Sequence, residues 1–119
     1  MEIIYFDVSH ATRAHDYIIE TTGGLAGFKS PGNLDSLLYF ISHDLYYPTF
    51  EEKVSHLFFG LTKFHIFNDG NKRTALFITL LFLKRNGIIL SANPDFVGMT
   101  VEAAAGQLTL EQIVARLRG

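Results

Sequence analysis

The chain contains no cysteine. Disulfides, thiolate zinc sites and cysteine nucleophiles are therefore excluded, and a cytoplasmic protein is expected. It also lacks any excess of positive charge. Ten lysines and arginines stand against twelve acidic residues, for a net charge of −2, which is no electrostatic footprint for direct nucleic-acid binding. Long apolar runs are missing too. The most apolar stretch, residues 74–83, is too short to span a bilayer and is flanked by charge, so no membrane association is expected. The start, MEIIYFDVSH, has no basic segment leading into an apolar one, so no signal peptide is expected. Internal repeats and low-complexity tracts are absent. So is the pattern GxxxxGK[ST], which rules out an ordinary P-loop kinase.

What is present suits one compact domain over residues 1–119. Hydrophobic residues make up 48% of the chain, enough for a core, while charged residues are only 18%. A surface this lean suits a protein that covers part of itself with a partner. The positive charge is unevenly spread: Lys63, Lys72, Arg73, Lys84 and Arg85 fall in one short stretch. A small anion fits that cluster better than a duplex does.

Between its glycine and proline marks the chain reads as helix, and about six helices are expected in an all-α bundle. Ser9 is placed to cap a first helix that runs to about Thr22 and stops at Gly23. A second starts near Asn33 and buries Leu34, Leu37, Leu38 and Ile41. Thr49 and Glu52 form a capping box for a third, with Val54, Leu57, Phe58 and Leu61 on one face. A fourth runs from about Asn71 to the stop at Asn86-Gly87. Asn93-Pro94 and the Thr109/Gln112 pair mark a fifth and a sixth. Residues 2–6 and 88–90 read as short extended pieces. The fourth helix is apolar on every face, so it is expected to be the central buried one. Phe58, Phe59, Phe77 and Phe82 are expected in the core.

The start of that fourth helix carries the chemistry, in the stretch FHIFNDGNKRTA. A helix N-terminus presents unpaired N–H groups and partial positive charge. Gly70 lets an anion approach the backbone, and Asn68, Asn71, Lys72 and Arg73 surround the same point with donors and charge. These are the candidate nucleotide- and phosphate-binding residues. Arg73 can grip phosphate oxygens with its planar fork, whereas Lys72 acts as a point charge. Asp69 is the candidate metal ligand, because magnesium takes one or two carboxylates alongside phosphate oxygens. His65 is the candidate proton acceptor. Phe67 and Ile66 anchor the loop by burial. The candidate catalytic set is thus His65, Asp69, Lys72 and Arg73.

These residues closely resemble the Fic/Doc active-site motif: His, any residue, Phe, any residue, Asp or Glu, Gly or Ala, Asn, Gly or Lys, then Arg. His65, Phe67, Asp69, Gly70, Asn71 and Arg73 all fall on it. The stretches GGLAGFKSPGNLDSLL, YPTFEEKVSHLFFGL and MTVEAAAGQLTLEQIVARL are similar to the death-on-curing (Doc) branch, so the likeness covers nearly the whole chain. The resemblance implies a compact helical fold with the motif between two helices. It implies His65 as general base on a target hydroxyl, Asp69 on Mg2+, Asn71 and Arg73 on phosphates, and an anion hole of backbone N–H groups from Gly70 onward.

Most Fic proteins transfer AMP and carry a second glycine where this chain has Lys72. The Doc branch has lysine there and resembles a kinase that phosphorylates a threonine of elongation factor Tu. Lys72 therefore favours transfer of the γ-phosphate of ATP, while Gly70 leaves AMP transfer open. The inhibitory helix of self-silenced Fic proteins, a Ser/Thr, three residues, Glu, then Gly or Asn, is absent. A toxin silenced by a small antitoxin with a flexible tail is expected, acting by blocking translation.

Three other readings compete. Asp69 and Asn71 could simply cap the buried helix, but capping needs neither His65 nor Phe67 nor Arg73. His15-Asp16 and His43-Asp44 are reminiscent of metal-dependent HD phosphohydrolases, a reading that leaves FNDGNKR unexplained. A catalytically silent Fic-like binding module would need the same fold but none of the reactive side chains. His10, His15, His43 and His56 are expected to be surface or satisfied histidines, with His15 a candidate to lie near the site.

Overall fold

A computed structural model describes residues 2–87 together with Gln107 and Gln112. The expected extended piece at 88–90 and the expected fifth helix fall outside the described residues, as does the expected sixth apart from Gln112, which is helical. Four helices are seen: α1 (Val8–Thr22), α2 (Pro31–Ile41), α3 (Phe50–Lys63) and α4 (Asn71–Arg85). The described residues form an all-α globule, and none of their helices is long and apolar enough to cross a membrane.

Each helix end has a local cause. The N-cap of α1 is Asp7, whose carboxylate accepts from the His10 N–H at 2.8 Å. The expected cap, Ser9, lies inside the first turn, because Asp7 offers the same chemistry two residues earlier. The helix stops at Gly23, whose N–H closes onto the Ile19 carbonyl. α2 begins at Pro31 rather than near Asn33, since proline's fixed φ suits a first helical position. Thr49 caps α3 as expected, accepting from the Glu52 N–H at 3.1 Å. Asn86 and Gly87 end α4, with Gly87 at φ 78. The Asn86 side chain also bonds both backbone groups of Ile4, at 2.8 and 3.0 Å. Residues 2–6 are thereby tied across α4 without forming a strand.

The expected faces of α2 and α3 are buried: Leu34, Leu37, Leu38 and Ile41 meet Val54, Leu57, Phe58 and Leu61. The deepest helix, however, is α3 and not α4. Nine of its residues are buried, among them Lys53, Ser55, His56 and Thr62. α4 buries the stripe Ala75, Ile78, Thr79, Phe82 and Leu83 and leaves Leu80 exposed. Phe77 is half-buried, as is Phe59 on α3, whereas Phe58 and Phe82 are fully enclosed. Composition cannot tell an all-apolar helix covered on every side from one covered on a single stripe.

The core's charged member is Lys53. Its Nζ donates to the Ile41 carbonyl at 3.0 Å and lies 2.8 Å from the exposed Asp44 carboxylate. It thus satisfies an orphan carbonyl at the end of α2 and fastens the α2–α3 connection to the core.

Candidate functional site

The loop between α3 and α4 turns sharply at both ends. His65 has φ 50, the one non-glycine positive φ among the described residues. Gly70, at φ 73, forms the N-cap of α4 in the left-handed region. A glycine is what that backbone favours, so Gly70 has a structural reason independent of which phosphate is transferred. Between these turns Ile66 and Phe67 are buried and His65 and Asn68 are exposed.

Asn71 holds the loop shut. Its Oδ1 accepts from the Phe67 N–H at 3.0 Å, and its Nδ2 donates to the Phe67 carbonyl at 2.9 Å. Asn68 performs a similar task outward, with its Nδ2 donating to the Ala26 carbonyl at 3.0 Å. Sequence reasoning aims both amides at phosphate. In the structure Asn71 satisfies backbone groups of the irregular loop itself and Asn68 a carbonyl of the α1–α2 connection, groups that would otherwise be left unpaired.

The α1–α2 connection is the loop's second support, and sequence reasoning missed it. Residues 24–30 run antiparallel to the motif, bridging Phe28 to Phe67. The Lys29 and Ser30 N–H groups both donate to the Ile66 carbonyl, and the Asn68 N–H to the Gly27 carbonyl. The cluster of glycines at 23, 24 and 27 was the available signal. A Cβ on Gly24 would stand 2.7 Å from Asp69 Oδ2, so the connection approaches the motif as closely as a backbone can.

The Asp69 carboxylate is the centre of the polar cluster. Oδ1 accepts from the Gly70 N–H at 2.8 Å and Oδ2 from the Leu25 N–H at 3.2 Å, with Arg73 Nη2 3.7 Å from Oδ1. The two backbone donors, Gly70 first, hold its pKa below the usual value, helped by the nearby charges of Arg73 and His15. Arg73 is itself anchored: Nη1 donates to the Thr22 hydroxyl and, at 2.8 Å, to the Gly23 carbonyl. One end of its fork thus caps α1, and Nη2 turns toward the motif.

His15 also reaches this cluster. It is buried, its Nε2 is 2.7 Å from the Asp69 carbonyl, and its ring lies 3.8 Å from that of Phe67 at an interplanar angle of 4°. His43 instead bonds the Tyr39 carbonyl, and Asp44 pairs with Lys53. The two His-Asp pairs therefore do not share a centre. Among the described residues no group of three or more His, Cys, Asp or Glu converges as a metal site.

Over the N-terminus of α4 lies an open cleft of about 400 Å³, lined among the described residues by Thr62, Lys63, His65, Asn68, Asp69, Gly70, Asn71, Lys72 and Arg73. All the sequence-derived site residues except Phe67 line it; Phe67 is buried beneath as the anchor. The floor carries an amide that already holds a carboxylate, and the walls carry an imidazole, two ammonium groups and a guanidinium. A phosphate chain fits such chemistry. A magnesium ion would find one ionised carboxylate, Asp69, and would draw its other ligands from phosphates and water.

The Fic/DOC family model matches residues 5–83. The chain belongs to the Fic/DOC family. Its similarity to the protein kinase doc of Escherichia phage P1 is 36% identity over 108 residues, covering 87% of this chain and 85% of that protein. In this Fic/DOC chain the family match spans all four described helices up to residue 83, and so includes both the motif and the connection that braces it.

Proposed function

We propose that the chain transfers the γ-phosphate of ATP to a serine or threonine hydroxyl of a protein. The observation that carries this reading is the cleft that gathers His65, Asp69, Lys72 and Arg73 around the Gly70 amide at the start of α4. The similarity to a protein kinase supports it. The triphosphate lies over the helix end, held by backbone N–H groups, Lys72 and the Nη2 side of the Arg73 fork, which faces the motif. Asp69 would hold Mg2+, which when bound would neutralise charge on the phosphates. His65 takes the proton from the incoming hydroxyl. The oxygen bonds to the γ-phosphorus, the bond from that phosphorus to the β,γ-bridging oxygen breaks, and ADP leaves.

The protein reads as a toxin of a toxin–antitoxin pair. Elongation factor Tu is the target class the kinase resemblance suggests, with block of translation as the outcome, and a small antitoxin with a flexible tail as the partner. AMP transfer is the second reading, but its sequence support, Gly70, has the backbone explanation given above. A silent binding module would have no use for His65.

The test is incubation of the protein with bacterial lysate and ATP labelled at either the γ- or the α-phosphate. Label from the γ position on a protein band is expected. Label from the α position would replace phosphorylation by AMP transfer, and no label from either would leave the binding module. A Lys72→Gly variant should lose γ-transfer or gain α-transfer.

A further inference from the structure

We infer that His15 is a positioning residue for the phosphate-facing loop, fixing the Asp69–Gly70 peptide so that the Gly70 N–H faces the anion. This rests on the reading of the cleft as a phosphate site. The Asp69 carbonyl lies outside the α4 ladder, whose first bond runs from the Thr74 N–H to the Gly70 carbonyl at 2.9 Å. Nothing in the helix therefore sets the orientation of the Asp69–Gly70 peptide. His15 holds its oxygen end, with Nε2 at 2.7 Å from that carbonyl, and the Asp69 carboxylate accepts from its N–H end.

A carbonyl only accepts, so Nε2 carries the proton in this contact. In a trans peptide the C=O and N–H of one unit point in opposite directions. Holding the oxygen on the α1 side therefore aims the Gly70 N–H away from α1's imidazole. There it meets the Asp69 carboxylate at 2.8 Å, an anion already in place.

The imidazole grips the loop twice. Its face lies parallel to Phe67, 3.8 Å away and tilted by 4°, which sets the plane of the ring. Within that plane its N–H reaches Asp69, two residues further along the same loop. Phe67 in turn stacks on Phe28 of the bracing connection. The buried residues of α1 are Ala11 and His15, one turn apart, so this grip is made by one of the two residues that α1 buries. A histidine buried only for its bulk would need the stack and not the donor. The pairing of both on one loop is what assigns the role.

The test uses two variants of the full chain. His15→Phe keeps the stacked ring and removes the donor. His15→Gln keeps a donor of similar reach and removes the ring. The first readout is the Gly70 amide in protein labelled with ¹⁵N-glycine, which needs no catalytic activity. A single protected resonance is expected in the unsubstituted chain, with about tenfold faster exchange or line doubling in His15→Phe and near-normal behaviour in His15→Gln. The second is γ-phosphate transfer from Mg-ATP. There kcat should fall about tenfold or more in His15→Phe and recover to within about threefold in His15→Gln.

An unchanged Gly70 amide in folded His15→Phe overturns the inference. So does a folded His15→Gln whose Gly70 amide exchanges as fast as that of an unbraced loop, which still decides the matter if His15→Phe does not fold. If the unsubstituted chain transfers no phosphate, the kinase reading fails by itself and the amide comparison alone judges His15.

Discussion

His65 and Gly24 each hold a backbone conformation that most residues resist; His65 lines the cleft, and Gly24 lies against the Asp69 carboxylate. At His65, φ 50 costs an ordinary side chain about 1 kcal/mol, and asparagine is among the residues that tolerate it best. His65→Asn therefore separates chemistry from folding. Transfer of label should fall by about a hundredfold or more, with unfolding free energy within about 0.5 kcal/mol of the parent, read by a radiolabel assay beside urea denaturation. At Gly24, φ 121 is glycine territory, and an added methyl would also strike the Asp69 carboxylate. Gly24→Ala should cost about 1–3 kcal/mol and lower transfer as well, because the same carboxylate is displaced. Normal activity in that variant, measured in the same assay, would show that the residue 24–30 brace is not needed for the site.

Among the elements, α3 is the one on which the others depend. It carries the Thr49 N-cap, the deepest apolar face and the buried Lys53 that holds the α2 C-terminus. The ion pair with Asp44 contributes little, since that carboxylate is 81% exposed. The bond to the Ile41 carbonyl and the volume of the buried stem matter more. Lys53→Ala should thus lose about 2–4 kcal/mol through an empty cavity and an uncapped carbonyl. Lys53→Met, which fills the space, should lose roughly half of that or less. Urea midpoints of the two variants distinguish packing from charge: equal losses would mean that the charge is what counts.

For the molecule as a whole, pH dependence follows from groups spread over three places. Asp7, Asp44 and Asp69 all have pKa values held below 3.8, by the His10 N–H, the Lys53 amine and the Gly70 N–H respectively. A depressed carboxylate pKa adds stability above the unfolded value and loses it as pH falls through the folded one. His56 acts on a different stretch of the scale. Burial lowers its pKa from 6.5, so below that pH the unfolded chain binds the proton more readily and stability declines. Stability should therefore be greatest near neutral pH, decline below about 6.5 and decline further below about 4. Asp69→Asn should make the lower limb shallower, and His56→Phe should flatten the upper one, in urea titrations from pH 3 to 8. The sequence alone determined the helical periods, the N-cap at Thr49, the stop at Asn86-Gly87 and the motif from His65 to Arg73. Each of these depends on residues within about two turns of one another, where local geometry is dictated by φ, ψ and spacing. Only the tertiary structure decided that α3 and not α4 is the most enclosed helix. It alone gave the Asn71 amide to the loop's own backbone and the Asn68 amide to the Ala26 carbonyl, and brought His15 and residues 24–30 to the motif from distant parts of the chain. Those contacts depend on which apolar stripe meets which neighbour and on which donors are left over when the helices dock. That is a property of the packed whole, and no stretch of chain contains it.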